Sequence, residues 1–172
     1  MQRHRPLKHI IMAGFFAAIA IVFKTYFAVT TLEFRFTFYD IPLFLSGMLL
    51  GPGLGLIIGF VTDWIYVLLH PFAFSFNLMT VSTMLWGFVG GIFYFKRDHP
   101  VKVLPLFLII ASTSIIVFTL NSIQLYVWFG PGMIAQIPIR LITLIIKWPI
   151  QVYVIHFMQQ RVLSQVIMTH SL

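Results

Sequence analysis

The sequence predicts an all-α integral membrane protein of six transmembrane helices with both termini in the cytoplasm. Three observations lead there. Of the 172 residues 60% are apolar and 9% are charged, where a soluble domain carries about 25% charged residues. The mean hydropathy is +0.98. Most of the cations also sit in short segments between long apolar runs. Six spans place Arg3, Arg5, Lys8, Lys96, Arg97, Lys102 and Arg161 on one side and leave Arg35 on the other, a strong positive-inside bias. This length leaves no room for a separate soluble domain, so residues 1–172 are expected to form one membrane domain. The net charge of +7 does not point to nucleic acid, because most of the charges sit in short segments between apolar runs. The absence of cysteine excludes thiolate-metal and disulfide chemistry.

The elements follow in order. The basic tail MQRHRPLKH precedes helix 1, from about His9 to Val29, close to the ~20 residues a span needs. Helix 1 carries Ala13-x-x-x-Ala17 and, one residue on, Gly14-x-x-x-Ala18, small residues that admit a neighbouring helix. Lys24 lies near its outer end, where it either snorkels to the interface or meets a ligand. Thr30 to Tyr39, with Glu33 and Arg35, alternates polar with apolar residues and is expected to be an extended outer cover. Helix 2 runs from Asp40 to about Leu50, with Asp40 placed to cap and Pro42 in its first turn. Its 11 residues rise only ~17 Å, so it continues up through Phe36 or is a short helix facing a cavity.

Gly51-Pro52-Gly53 then turns the chain, since proline cannot continue a helix and glycine tolerates positive φ. Helix 3 follows from Gly53 to about His70. Gly55, Gly59 and Asp63 are spaced by four residues and so share one face. A carboxylate inside an apolar helix needs a partner. Pro71 to Asn77 is an aromatic outer loop, helix 4 spans about Leu78 to Phe95, and KRDHPVK is a basic inner loop. Helix 5 covers about Leu104 to Phe129. A second Gly-Pro-Gly turn leads to helix 6, from about Ile134 to Leu163, which carries Arg140 and Lys147.

With that orientation, the polar residues gather in the outer half and the inner half is almost free of them. An aromatic-walled polar cavity open to the outside accounts for this, and a through-pore does not, because it needs polar residues along its whole length. The candidate binding residues are Lys24, Arg35, Asp63, Tyr66, Phe72, Asn77, Thr80, Gln124, Trp128, Arg140 and Lys147. Asp63 with Arg140 or Lys147 forms either a structural ion pair or a ligand site. Two cations against one carboxylate favour an anionic ligand, clamped by arginine, with Asp63 accepting from N–H donors. His70 and His156 stand alone and do not suggest a metal. No G-x-S-x-G, H-E-x-x-H or nucleotide-binding G-x-x-x-x-G-K-[ST] motif occurs, so no enzyme, cofactor or ATP use is expected.

The stretch IPLFLSGMLLGPGLGLIIGFVTDWIY, an aromatic outer loop, and the helix WGFVGGIFY together resemble the substrate-binding membrane subunits of energy-coupling factor (ECF) transporters, which take up vitamins into bacteria. The resemblance extends over nearly the whole chain. The GP-x-x-G…D run and IPIRLITLIIKWPI are most similar to the folate-specific members. It implies a subunit of the bacterial plasma membrane that binds folate from outside. Its partners would be a transmembrane coupling subunit, docked at Ala13 and Ala17, and two cytoplasmic ATPases. Folate suits the candidate site, with pterin donors for Asp63 and glutamate carboxylates for Arg35, Arg140 or Lys24. The alternatives are a subunit for another vitamin such as pantothenate, a self-sufficient secondary transporter with Asp63 as proton site, and a structural subunit without ligand.

Overall fold

The computed structural model describes residues 5–30, 35–70, 77–93 and 102–170. Six α-helices dominate these residues: α1 (Arg5–Thr25), α2 (Asp40–Leu50), α3 (Pro52–Leu69), α4 (Leu78–Ile92), α5 (Val103–Phe129) and α6 (Ile137–His170). The expected outer cover contains two short antiparallel strands, β1 (Val29–Thr30) and β2 (Arg35–Phe36), with Val29 opposite Phe36. The loop containing Phe72 and most of the KRDHPVK loop fall outside the described residues.

Helix 2 proves to be the short alternative. It begins at Asp40, and its N-cap, Tyr39, makes no side-chain cap hydrogen bond. The Asp40 carboxylate does not cap the helix but turns to α6, as described below. At 11 residues α2 is shorter than the ~30 Å hydrocarbon core of a bilayer requires of a helix alone, and it lies in the centre of the molecule. Leu43, Phe44 and Ser46 are completely buried.

Glycine makes this burial possible. Gly51 turns the chain from α2 into α3 at φ 94°, a conformation a Cβ would oppose, and Pro52 starts α3 where its missing N–H costs nothing. Gly47 of α2 and Gly55 of α3 both lie against the carbonyl of Gly87 on α4, and a methyl at either would overlap that backbone. Farther along α3, Gly59 packs on the backbone of Thr83 and Met84. The four-residue series expected on α3 is therefore the seam along which α3 meets α4, and its next member, Asp63, arrives beside Thr83. This three-helix core is where small residues bring backbones closest.

α4 starts with a capping box: the Asn77 side chain accepts from the N–H groups of Met79 (2.8 Å) and Thr80 (3.2 Å), and Thr80 Oγ1 accepts from the Asn77 N–H. α5 packs on α4 and turns at Gly130 (φ 73°) into a 3₁₀ segment, Gly130–Gln136, ahead of α6. The buried apolar cluster joins Ala20 of α1, Phe44, Trp86, Leu106 and Ile110 to Ile155 of α6. Large apolar side chains cover the outside, among them Ile10, Phe15, Leu104, Val127, Phe129 and Tyr153. Pro52–Leu69 and the run Val103–Arg161, which holds α5 and most of α6, are long and apolar enough to cross a membrane.

Candidate ligand cavity and its ion pairs

A cavity of about 120 Å³ lies between the segment 37–40, α4, α5 and α6. Helical periodicity builds two of its walls. Arg140, Thr143, Leu144, Lys147 and Gln151 recur every three or four residues on α6, and Ser114, Val117, Phe118 and Asn121 do so on α5. Thr37, Tyr39 and Asp40 form a third wall, and Trp86 of α4 completes the lining.

The polar groups of this cavity have a definite order. Lys147 Nζ donates to Asp40 Oδ2 at 2.6 Å, and Gln151 Nε2 donates to the same oxygen. Among the described residues, that leaves three buried acceptors of the cavity without a hydrogen-bond partner: Asp40 Oδ1, Gln151 Oε1 and Asn121 Oδ1. An unmade hydrogen bond in a buried site is costly, so these oxygens suit a ligand that brings N–H donors. The Arg140 guanidinium lies 5.3 Å from the Phe118 ring centre, and among the described residues no carboxylate pairs with it. With Lys147 matched by Asp40, the cavity keeps one cation in excess, at the end of the α6 stripe farthest from Gln151.

A second polar cluster lies behind the Tyr39 wall. Lys24 of α1 pairs with Asp63 of α3, with both side chains buried, and donates to Thr83 Oγ1 of α4 at 3.0 Å. Thr83 Oγ1 lies 3.4 Å from Asp63 Oδ1. The ammonium also sits over two rings, 4.8 Å from the centre of Tyr39 and 5.0 Å from that of Tyr66. A lysine this deep is stable because its counter-charge and a hydroxyl acceptor are fixed next to it.

The family model described as "ECF transporter, substrate-specific component" matches residues 8–158. The chain belongs to that family. It is therefore the substrate-binding part of a transporter, located in a membrane, and not an enzyme. This S component is 29% identical to the folate transporter FolT of Clostridium novyi (strain NT) over 147 residues, 85% of this chain and 84% of that protein. Its fold matches the crystal structure of FolT bound with folic acid at a TM-score of 0.79 and 27% identity, covering 90% of this chain and 95% of that one.

The structure divides the residues singled out in the sequence. Arg140 and Lys147 line the cavity. Lys24, Asp63 and Tyr66 form the cluster behind it. The expected pairing of Asp63 with Arg140 or Lys147 is corrected: the partner of Asp63 is Lys24, and that of Lys147 is Asp40. Lys24 does not snorkel, because it is 5% exposed. Asn77 and Thr80 are engaged in the α4 cap, and Gln124 Oε1 accepts from the Leu78 N–H at 3.1 Å; none of the three is among the residues lining the cavity. Trp128 is 42% exposed at the end of α5, edge-on to Phe129. The side chains of Arg35 and Phe72 lie outside the described residues. On α1, Ala13 and Ala17 are half-buried against the core, while the neighbouring Gly14 and Ala18 are exposed.

Sequence reasoning missed Asp40 and Gln151 as site residues. A signal for Gln151 existed: Arg140, Leu144, Lys147 and Gln151 continue one stripe along α6. Buried polar residues also occur along α5 and α6 beyond those expected, among them Ser114, Gln151 and Gln159.

Proposed function

We propose that this S component captures folate from outside the cell and delivers it for uptake driven by a transmembrane coupling subunit and two cytoplasmic ATPases. The chain would lie in the bacterial plasma membrane, crossing it six times with both ends inside, as its cation distribution suggests. The observation that carries the ligand is the cavity itself. Among the described residues, it sets acceptors of Asp40, Asn121 and Gln151 that have no hydrogen-bond partner below an arginine that no carboxylate pairs with. The 2-amino group and ring N–H of a pterin are donors for the first, and the glutamate carboxylates are anions for the second. A volume of about 120 Å³ is well under the ~300 Å³ or more of a site that encloses a drug-sized molecule. It suits one flat ring system, with the rest of the ligand reaching outward past Arg140. The similarity to FolT proteins supports the same ligand class.

Coupling is proposed on the small-residue part of α1, at Ala13 and Ala17 and the adjoining exposed Gly14 and Ala18. The chain has no nucleotide motif, so the energy for uptake must come through a docked partner.

Isothermal titration of the detergent-purified chain tests the ligand. Folate should bind without ATP, and pantothenate, which has no planar donor ring, should bind at least a hundredfold more weakly. Tight pantothenate binding with no folate binding would overturn this assignment.

A further inference from the structure

Lys24 does not line the cavity, yet a single ring separates the two. Tyr39 forms part of the cavity wall and carries the Lys24 ammonium 4.8 Å from its ring centre. The next residue, Asp40, is held by Lys147, and the Phe38 ring lies 6.0 Å from that same ammonium. The segment from Phe38 to Asp40 is thus suspended between two cations, one in the cavity and one behind it. α2 begins here without a side-chain cap hydrogen bond.

We propose that the buried Lys24–Asp63 pair is a positioning device for substrate binding. It fixes the ring of Tyr39, and through it the adjacent Asp40 carboxylate, in the wall of the cavity. The inference rests on the folate reading of that cavity. Its physical basis is the order in which positions are set. Asp63 is carried by α3, and the backbone of α3 is locked to α4 through Gly55 and Gly59. An ammonium in an apolar interior must follow its counter-charge, and Thr83 of α4 holds the same group from the side. A ring within about 6 Å of a desolvated cation is drawn to it, so the Tyr39 ring takes its place from the most tightly packed part of the molecule. For stability alone a buried pair is a weak choice, since apolar replacements are often neutral or better.

That comparison supplies the test. The variant Lys24→Met with Asp63→Asn removes both charges, so it should melt, ligand-free, close to the unsubstituted chain. It should nevertheless bind folate about tenfold more weakly. Tyr39→Leu should cause a similar loss, and adding the Lys24→Met and Asp63→Asn changes to Tyr39→Leu should weaken binding by less than about threefold more, because the lysine acts through the ring. Lys24→Arg keeps a cation and should stay within about threefold of full affinity. Undiminished affinity in the charge-free variant, or losses that multiply with Tyr39→Leu, would overturn the proposal.

Should the charge-free variant fail to fold, Lys24→Arg labelled with 3-fluorotyrosine replaces it. In ligand-free fluorine NMR the Tyr39 resonance, assigned by its loss in Tyr39→Phe, should move while that of exposed Tyr153 stays. A Tyr39 resonance that does not move would overturn the proposal. If the unsubstituted chain binds no folate, the ligand assignment fails, and the fluorine measurement decides the positioning role by itself.

Discussion

Lys147 and Asp40, 107 residues apart in the chain, meet at 2.6 Å in the wall of the cavity. The contact ties α6 to the first turn of α2 and directs one carboxylate oxygen, Asp40 Oδ1, to a position where no donor among the described residues reaches it. The pair thereby does two things at once. It neutralises Lys147, and it presents a fixed acceptor to whatever enters. Four predictions follow from this arrangement and from the packing around it.

Asp40→Asn should weaken folate binding by about one to two decades, the cost of losing a hydrogen bond to a charged acceptor. Calorimetry on the purified chain gives the number directly. The same substitution leaves Lys147 without its carboxylate, so the ligand-free melting temperature should fall as well. An affinity that stays within twofold would place the ligand's donors elsewhere.

Arg140→Gln should separate the two ends of the ligand. If the guanidinium takes a glutamate carboxylate, folate binding should weaken by about tenfold. Pteroate, which has the pterin ring and no glutamate, should be affected by less than about twofold. Equal losses for both compounds would mean that Arg140 shapes the cavity and does not contact the tail.

Gly87→Ala tests the helix seam. The added methyl would overlap the backbone of Gly55, and overpacking of this kind costs about 1–3 kcal/mol or more. The expected result is a markedly lower melting temperature in detergent and a smaller folded yield. Gly53→Ala is the control, because a methyl there meets nothing within 4 Å, and its melting temperature should hold or rise slightly.

Tryptophan substitutions along α1 map the docking face. Gly14 and Ala18 are exposed, and a side chain at Gly14 would meet nothing within 4 Å. Gly14→Trp and Ala18→Trp should therefore leave folate binding by the isolated chain intact. In cells that co-express the coupling subunit and the ATPases they should abolish uptake. Ala13→Trp and Ala17→Trp should block uptake too, but with a lower melting temperature, since both positions also pack on the core. Uptake that persists in all four variants would move the docking surface to another helix.

Much of this molecule was legible in one dimension. The expected start of α2 at Asp40, its end at Leu50 and the end of α5 at Phe129 match the structure, and the α3 and α5 starts differ by one residue. The reason is local: Pro and Gly act on their own backbone, and an apolar run long enough to cross a bilayer can satisfy its hydrogen bonds only as a helix. The four-residue spacing of Gly55, Gly59 and Asp63 likewise identified a real face, because 3.6 residues per turn is a property of the helix itself. Arg140 and Lys147 were recognisable as cavity residues for the same reason, since a cation within an apolar span needs a polar environment.

Periodicity says which residues share a face, but not what that face meets. Asp63 lies 39 residues from Lys24, and two other intramembrane cations had an equal claim on it from the sequence. The choice was made by packing: the glycine seam sets α4 against α3, α1 lies along α3, and Lys24 is the cation that this geometry delivers. Asp40 looked like a helix cap because Asp-x-Pro is a helix-start signal and its local meaning hides a distant one. Its carboxylate faces α6 because α2 is buried in the middle of the bundle, where its first turn opens towards Lys147 and Gln151 and away from water. Sequence therefore determined the helices, their faces and the charge excess, all of which depend on neighbours within a few residues. Tertiary structure alone decided which charges pair and which acceptors are left for a ligand, because Coulomb attraction and hydrogen bonding act over a few ångströms of space, whatever the distance along the chain.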